Sequence, residues 1–379
     1  MTDQRLRDLG ARIEDSTPMH DFEDLVRRAR RRVTLRRAVT LAAVVAITIA
    51  AMFGVAQVVD RNRQTGPPPA DRTEQSRDTW CPTTKGPDCF ADIHGWIVYG
   101  GPGSNGIWAV NPAGPGDPEG QIHLTDGWRE EPLGWSSDGT RLLIARDVPG
   151  VIELEDFAHA VDLVVLNADG TETRVTRTWI NVDGSISPDG TRVVYSSYSS
   201  GMYAVDLDGG TPRLLLAPVP RHYPGEELAK YPVGLYNPVF SPDGTQIAYF
   251  DGMLDWGHSL RIMRSDGTHI RVLLDEFPQA DPVHVDDLVW SPDGQRLAFS
   301  AQEGGIWIIG VDGSGLTKLV HGVNPAWSPD GTRISYQLVQ PDSPESVPGT
   351  LRIADADGTH VTGFGYGESG PWNPLPLDR

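Results

Sequence analysis

The sequence predicts an all-β fold, a six-bladed β-propeller outside a membrane, preceded by a single transmembrane α-helix. Three observations carry this expectation. A short refrain recurs: WSSDGTRLLIA at Trp135–Ala145, ISPDGTRVVYS at Ile186–Ser196, FSPDGTQIAYF at Phe240–Phe250, WSPDGQRLAFS at Trp290–Ser300 and WSPDGTRISY at Trp327–Tyr336. Each copy is followed by a second turn signal, at Asn167–Gly170, Asp206–Gly209, Arg264–Gly267, Gly310–Gly313 and Asp355–Gly358. Self-similarity at such a period marks a repeat architecture. Upstream of the repeats, Ala38–Val59 is uncharged, and as a helix it would span about 33 Å, the depth of a bilayer core.

The turn has a mechanism. Pro presets φ for the first central position of a type I turn, Asp tolerates the second, and Gly takes the left-handed position that closes the hairpin. The flanks, such as Arg192-Val193-Val194-Tyr195, are rich in β-branched and aromatic residues and read as strands. Each unit is therefore strand, SPDG turn, strand, looser loop, strand, xDG turn, strand. Four antiparallel strands make one propeller blade.

These paired turns resemble the WD40-like repeat of TolB-type propellers, from about Gly95 to the C-terminus. The resemblance implies a protein–protein interaction role for the propeller.

Taken in order, residues 1–37 form a basic segment. Asp15–Pro18 reads as a helix start, and Phe22, Leu25, Val26 and Ala29 share one helical face. Arg27, Arg28, Arg30, Arg31, Arg32, Arg36 and Arg37 precede the apolar stretch, which places this end in the cytoplasm. Residues 38–59 are then a single span of a bacterial cell membrane. A cleaved signal sequence is the alternative; the length of the preceding region and of the apolar run argue against it. Residues 60–90 read as an extracytoplasmic linker with a stiff TGPPPA spacer, Thr65–Ala70. They carry both cysteines, Cys81 and Cys89, too sparse for a zinc site and suited outside the cytosol to a local disulfide. Residues 91–379 hold six blades. The first lacks an innermost strand, and Pro371-Trp372-Asn373-Pro374 aligns with Ala326-Trp327-Ser328-Pro329. The C-terminus is expected to supply that strand, since an open ring leaves an unpaired edge.

Charge narrows the partners. The chain carries 32 basic and 51 acidic side chains, and residues 1–63 hold 12 of the former but only 8 of the latter. The remainder is strongly acidic, which argues against nucleic acid as a partner.

All SPDG and xDG turns should lie on one face of the disc. The irregular loops, at residues 146–160, 217–234, 251–258, 275–286 and 338–350, should lie on the other. Binding residues concentrate on variable loops held by a rigid scaffold, so the loop face is expected to bind a protein partner. Its candidate residues are His222, Tyr223, Trp256, His258, His284, Asp286 and Asp287. Trp256 is the foremost recognition aromatic. Carboxylates with His could hold a divalent cation or act as acid and base; solvated loop charge is the competing reading. Trp135, Trp290 and Trp327 share a position with Ile186 and Phe240, which indicates packing between blades.

Gly101–Gly106 matches G-x-G-x-x-G but precedes a strand rather than the helix that a phosphate cradle needs. No nucleophile elbow, HExxH or P-loop occurs. Two functions compete: a membrane-anchored interaction or envelope-sensing module, whose residues 1–37 could meet a cytosolic partner, and a propeller enzyme, a lyase or glycoside hydrolase using loop-face His and carboxylates. The arrangement of short cytosolic segment, single span and external domain resembles bacterial membrane regulators.

Overall fold

After each SPDG-type turn the chain runs through apolar residues that are buried on both sides, as in Leu142, Leu143, Ile144 and Ala145. Burial on both faces requires sheets stacked side by side, and the computed structural model has this arrangement. It describes residues 88–375, apart from residues 101–105, 114–119, 128, 148–160, 177–181, 198–200, 218–233, 254–255, 276–284, 302–304, 339–349 and 367–368. The expected basic segment, membrane span and most of the linker lie outside the described residues. Among those described, no helix is long and apolar enough to cross a membrane.

Six antiparallel sheets follow one another as the blades of a propeller. Blade 1 contains β1 (Ile97–Gly100), β2 (Ile107–Val110) and β3 (Gln121–His123). Blade 2 contains β4 (Glu130–Trp135), β5 (Arg141–Asp147), β6 (Val161–Asn167) and β7 (Glu172–Arg174). Blade 3 contains β8 (Val182–Ile186), β9 (Arg192–Ser197), β10 (Gly201–Asp206) and β11 (Arg213–Leu216). Blade 4 contains β12 (Gly234–Phe240), β13 (Gln246–Met253), β14 (Trp256–Arg264) and β15 (Arg271–Leu274). Blade 5 contains β16 (Val285–Trp290), β17 (Arg296–Ala301), β18 (Gly305–Gly310) and β19 (Thr317–His321). Blade 6 contains β20 (Val323–Trp327), β21 (Arg333–Leu338), β22 (Thr350–Asp355) and β23 (Thr362–Tyr366). The SPDG turn joins the first and second strands of a blade and the xDG turn joins the third and fourth, as expected.

The expected loop at 251–258 is instead the tip of a hairpin. β13 runs to Met253 and β14 starts at Trp256, with Met253 opposite Trp256 after a bulge. Sequence breaks at Asp251-Gly252 suggested a loop, but the ladder absorbs the extra residue as a bulge.

The core lies between blades. Leu143, Leu163 and Val165 of blade 2 meet Ile186, Val193 and Tyr195 of blade 3. Ala248, Phe250 and Leu260 of blade 4 meet Trp290, Leu297 and Phe299 of blade 5. The refrain's aromatic position is part of this packing. Trp290 Nε1 donates to the Val239 carbonyl of the preceding blade at 3.1 Å. The refrain's Arg reaches the aromatic of the next blade: Arg192 over Phe240 at 5.7 Å, Arg296 over Trp327 at 4.6 Å and Arg333 over Trp372 at 5.4 Å.

The last of these pairs closes the ring. Trp372 forms an antiparallel bridge with Ile97 of β1. Val98 N donates to Pro371 O at 3.1 Å, and Asn373 N donates to Trp96 O at 2.8 Å. Trp372 Nε1 donates to Ser335 Oγ of blade 6 at 2.9 Å. The C-terminal segment thus occupies the innermost place of blade 1, as its alignment with Trp327 predicts.

The end of the linker is also tied down. Cys89 N donates to Ala168 O at 2.8 Å, and Phe90 meets Trp135 edge-on at 4.7 Å. Phe90 and Ile93 are fully buried between blades 1 and 2.

Candidate functional site

The inner strand of a blade does two jobs. Its end carries the aromatic and the SPDG turn. Its beginning faces the central channel. Counting back three residues from the aromatic gives one residue per blade: Pro132, Asp183, Asn237, Asp287, Asn324 and Ser369. All six line one cavity of about 460 Å³.

Local backbone geometry places these residues. β4, β12, β16 and β20 each shift register against their neighbour at this point. Asn237, Asp287 and Asn324 take left-handed φ values of 46°, 56° and 55°. Asn and Asp visit that region more readily than other non-glycine residues, so the polar identity and the bulge go together.

The ring is cross-linked. With its amide oriented to suit both neighbours, Asn237 donates to Asp183 Oδ2 and accepts from Asp287 N, each at 3.1 Å. Asp287 Oδ2 accepts from Asn324 N at 3.1 Å and from Ser300 Oγ at 2.8 Å. Asn324 Nδ2 donates to Gln337 Oε1 at 3.3 Å. A belt of hydrogen bonds therefore runs from blade 3 through blade 6.

The cavity is acidic. Glu131, Asp147, Asp183 and Asp287 contribute carboxylates, and among the described residues no Lys, Arg or His lines it. Asp147 lies 3.7 Å from Arg129 Nη1 at the edge. Carboxylates grouped in a concave site focus a negative potential and favour cationic groups. Among the described residues, no group of three or more His, Cys, Asp or Glu is placed to hold a metal ion.

The mouth opens where the inner strands begin and where β5 ends and β6 starts, at Asp147 and Val161. That is the loop face. Of the expected site residues, Asp287 is in this cavity, in β16 rather than in the loop before it. Asp286 is also in β16, opposite Ser300. Trp256 and His258 lie at the start of β14. His222, Tyr223 and His284 lie outside the described residues. Sequence reading missed Glu131, Asp147, Asp183, Asn237 and Asn324. The signal for three of them was present: a polar column three residues before the refrain's aromatic.

No family model matches the chain. An uncharacterized protein of Agrobacterium fabrum is 27% identical over 270 residues, covering 62% of this chain and 85% of that one. Among solved structures, TolB from Acinetobacter baumannii aligns with a TM-score of 0.51 and 15% identity, over 73% of this chain and 66% of that one. A putative TolB from Agrobacterium tumefaciens aligns at 0.48 and 24% identity, over 64% and 83%. An oligogalacturonate lyase in complex with manganese aligns at 0.41 and 14% identity, over 72% and 74%. At 15% identity the likeness to the Acinetobacter TolB is one of fold, and the fold it supports is the TolB-type propeller.

Proposed function

We propose that this chain is a membrane-anchored interaction module whose propeller stands outside the cell membrane and binds a protein or envelope component through its loop face. One observation carries the reading: the acidic cavity of about 460 Å³ opens on that face, beside the loops that do not repeat. Rigid blades hold it, at the strand ends from which the non-repeating segments leave, which suits the usual division between scaffold and recognition. Ala38–Val59 is the anchor in this reading, with residues 1–37 in the cytoplasm, free to meet a cytosolic partner. Cys89 carries no free thiol, and we take Cys81 as its partner, a clip at the base of the propeller suited to an oxidising compartment. The enzyme alternative depends on His222 and His284, which lie outside the described residues.

Affinity capture with the full chain from native membranes tests the reading, comparing wild type with a Trp256→Ala, Tyr223→Ala pair and with a Glu131→Gln, Asp147→Asn pair. Specific proteins recovered by wild type and lost with either pair are the expected outcome. Recovery unchanged by both pairs would remove the loop face from consideration. Reporter fusions at Arg37 and Asp60 test topology; an external reporter at Arg37 overturns the anchor.

A further inference from the structure

The chain contains thirteen Asp-Gly steps; nine close the tight turns of the blades in one way, and a tenth, in the same repeat position, does not. In nine tight turns the Gly N–H donates to a backbone carbonyl. These are Gly139, Gly170, Gly190, Gly244, Gly267, Gly294, Gly313, Gly331 and Gly358, with distances of 2.8 to 3.0 Å. In the same turns the preceding Asp is held by neighbouring hydroxyls or amides. Asp189 Oδ1 accepts from Ser187 Oγ at 2.6 Å and from Thr191 Oγ1 at 2.8 Å, and Asp266 Oδ1 accepts from Thr268 Oγ1 at 2.6 Å.

Asp208–Gly209 breaks this pattern. Its turn, Asp206-Leu207-Asp208-Gly209-Gly210, is one residue longer, and Gly210 N rather than Gly209 N bonds back, to Asp206 O at 3.1 Å. Gly210 also stands where eight of the nine other turns carry a Thr or Ser whose hydroxyl clamps the carboxylate, the ninth having Gln295. Both Asp208 and Gly209 are exposed.

The seam around the turn differs as well. In later blades the turn glycine packs on the outer strand of the blade before. A Cβ on Gly267 would stand 2.9 Å from Leu215 O, one on Gly313 3.4 Å from Leu273 O, and one on Gly358 2.9 Å from Leu319 O. At Gly209 nothing lies within 4 Å, and a polar cavity of about 530 Å³ opens between blades 2 and 3, lined by Thr171, Thr191, Asp206 and Asp208.

We infer that Asp208–Gly209 is a built-in isomerisation site, the place where this chain forms a succinimide and converts to isoaspartate. The Gly209 nitrogen attacks Cγ of the Asp208 carboxyl group, forming an N–Cγ bond. The Cγ–OH bond breaks, and hydroxyl and amide proton leave as water. Water then opens the ring at either carbonyl, regenerating aspartate or leaving the chain linked through the side chain. No oxidant or co-reactant other than water is consumed. The step needs a Gly nitrogen that is not engaged, a carboxyl group that is not clamped, and space for a five-membered ring; this turn has all three. Where the nitrogen is bonded, breaking that bond adds to the barrier. Where the carboxylate is clamped, as at Asp189, Asp243 and Asp293, hydrogen bonds from Ser187, Ser241 and Ser291 lead the causes that lower its pKa and deplete the protonated form that loses water.

Asp126–Gly127 is the natural comparison, because Asp126 is exposed too. There the Glu130 carboxyl group, held by Arg146, crowds Gly127 and fills the space that the five-membered ring would need.

Peptide mapping by mass spectrometry of the full-length protein, aged at mildly acidic pH, tests the inference. An isomer of the 193–213 tryptic peptide with unchanged mass, and its precursor lighter by one water, should accumulate. They should form at least about tenfold faster than at any of the nine clamped turns, a factor worth about 1.4 kcal/mol. Methyl-group acceptance from an isoaspartyl methyltransferase gives a second readout at the same peptide. Asp208→Glu should abolish both signals, and Gly210→Thr, which restores the clamp, should suppress them. Thr268→Ala should raise the rate at Asp266. Equal rates at Asp208, Asp126 and Asp189, or an Asp208 peptide that stays unmodified while others change, would overturn the inference.

Discussion

The two ends of each inner strand have opposite characters. At the turn end, aromatic, Ser, Asp and Gly repeat from blade to blade, and the Ser hydroxyl and Asp carboxylate answer each other within the turn. Ser291 Oγ donates to Asp293 Oδ1 at 2.5 Å, and the corresponding pair in blade 6, Ser328 and Asp330, is 2.7 Å apart. At the channel end the equivalent residues are Pro132, Asp183, Asn237, Asp287, Asn324 and Ser369, and hydrogen bonds linking Asn237 with Asp183 and Asp287, and Asn324 with Asp287, cross from blade to blade. One end stabilises a blade by local chemistry. The other depends on six blades meeting. Repetition in the sequence therefore marks what is structural, and departures from it mark where a site can be built.

The largest effect should come from breaking the ring that brings the channel ends together. Trp372 is buried, bridges Ile97 and stacks under Arg333. Trp372→Ala should cost about 3–5 kcal/mol, as large-to-small changes of buried aromatics do. Removal of residues 371–379 should cost at least as much. Urea unfolding followed by circular dichroism reads this, and an unchanged midpoint would mean that the ring is held elsewhere.

Turn glycines should rank next, and they sharpen the comparison between tight and open seams. Gly267 and Gly294 both have left-handed φ, at 90° and 68°. Gly294→Ala should add mainly the left-handed penalty of about 1–2 kcal/mol, because the nearest atom to its Cβ is Pro242 Cδ at 3.8 Å. Gly267→Ala meets the Leu215 carbonyl at 2.9 Å and should cost about 1–3 kcal/mol more, as overpacked sites do. Equal losses would show that the seams are looser than the packing suggests.

The smallest effect concerns acid. Hydrogen bonds from Ser187 Oγ and Thr191 N lower the Asp189 pKa to about 2. A folded-state pKa below the unfolded value of about 3.9 contributes stability that is present above that value. It is lost as pH falls through the folded pKa, so the window is between about pH 4 and about pH 2. Asp189→Asn should flatten the stability profile in that window and leave its shape near neutrality unchanged. Asp189 is exposed, so solvent screens the effect and the change should be small. A profile with an unaltered acid limb would remove the turn acids as stabilisers.

Much of this fold is legible in the sequence. Pro-Asp-Gly has a specific backbone consequence, and alternating β-branched residues have a specific period, so strand order and turn placement follow from neighbours in the chain. Even the ring closure is visible, because Pro371–Pro374 echoes Ala326–Pro329. The hairpin at Met253–Trp256 is less visible, since Asp251-Gly252 imitates a loop signal and only the pairing of two strands absorbs it as a bulge. The site is the least legible part. Loop residues such as Trp256 and His258 attracted attention by residue type, whereas Asn237 and Asn324, each followed by Pro, look like ordinary turn formers.

The sequence alone determined the blade, its two turns and the residue that packs each blade on the next, because all of these depend on φ preferences and a period of two within one short repeat. Only the tertiary structure decided that Asp183, Asn237, Asp287 and Asn324 join in one hydrogen-bonded belt around an acidic cavity. These residues are separated along the chain by a full blade each, and what unites them is their common place on the inner strand, with a bulge at Asn237, Asp287 and Asn324, and the closure of the ring. The same holds for Asp208: its Asp-Gly step looks like its neighbours until the open seam beside it is seen.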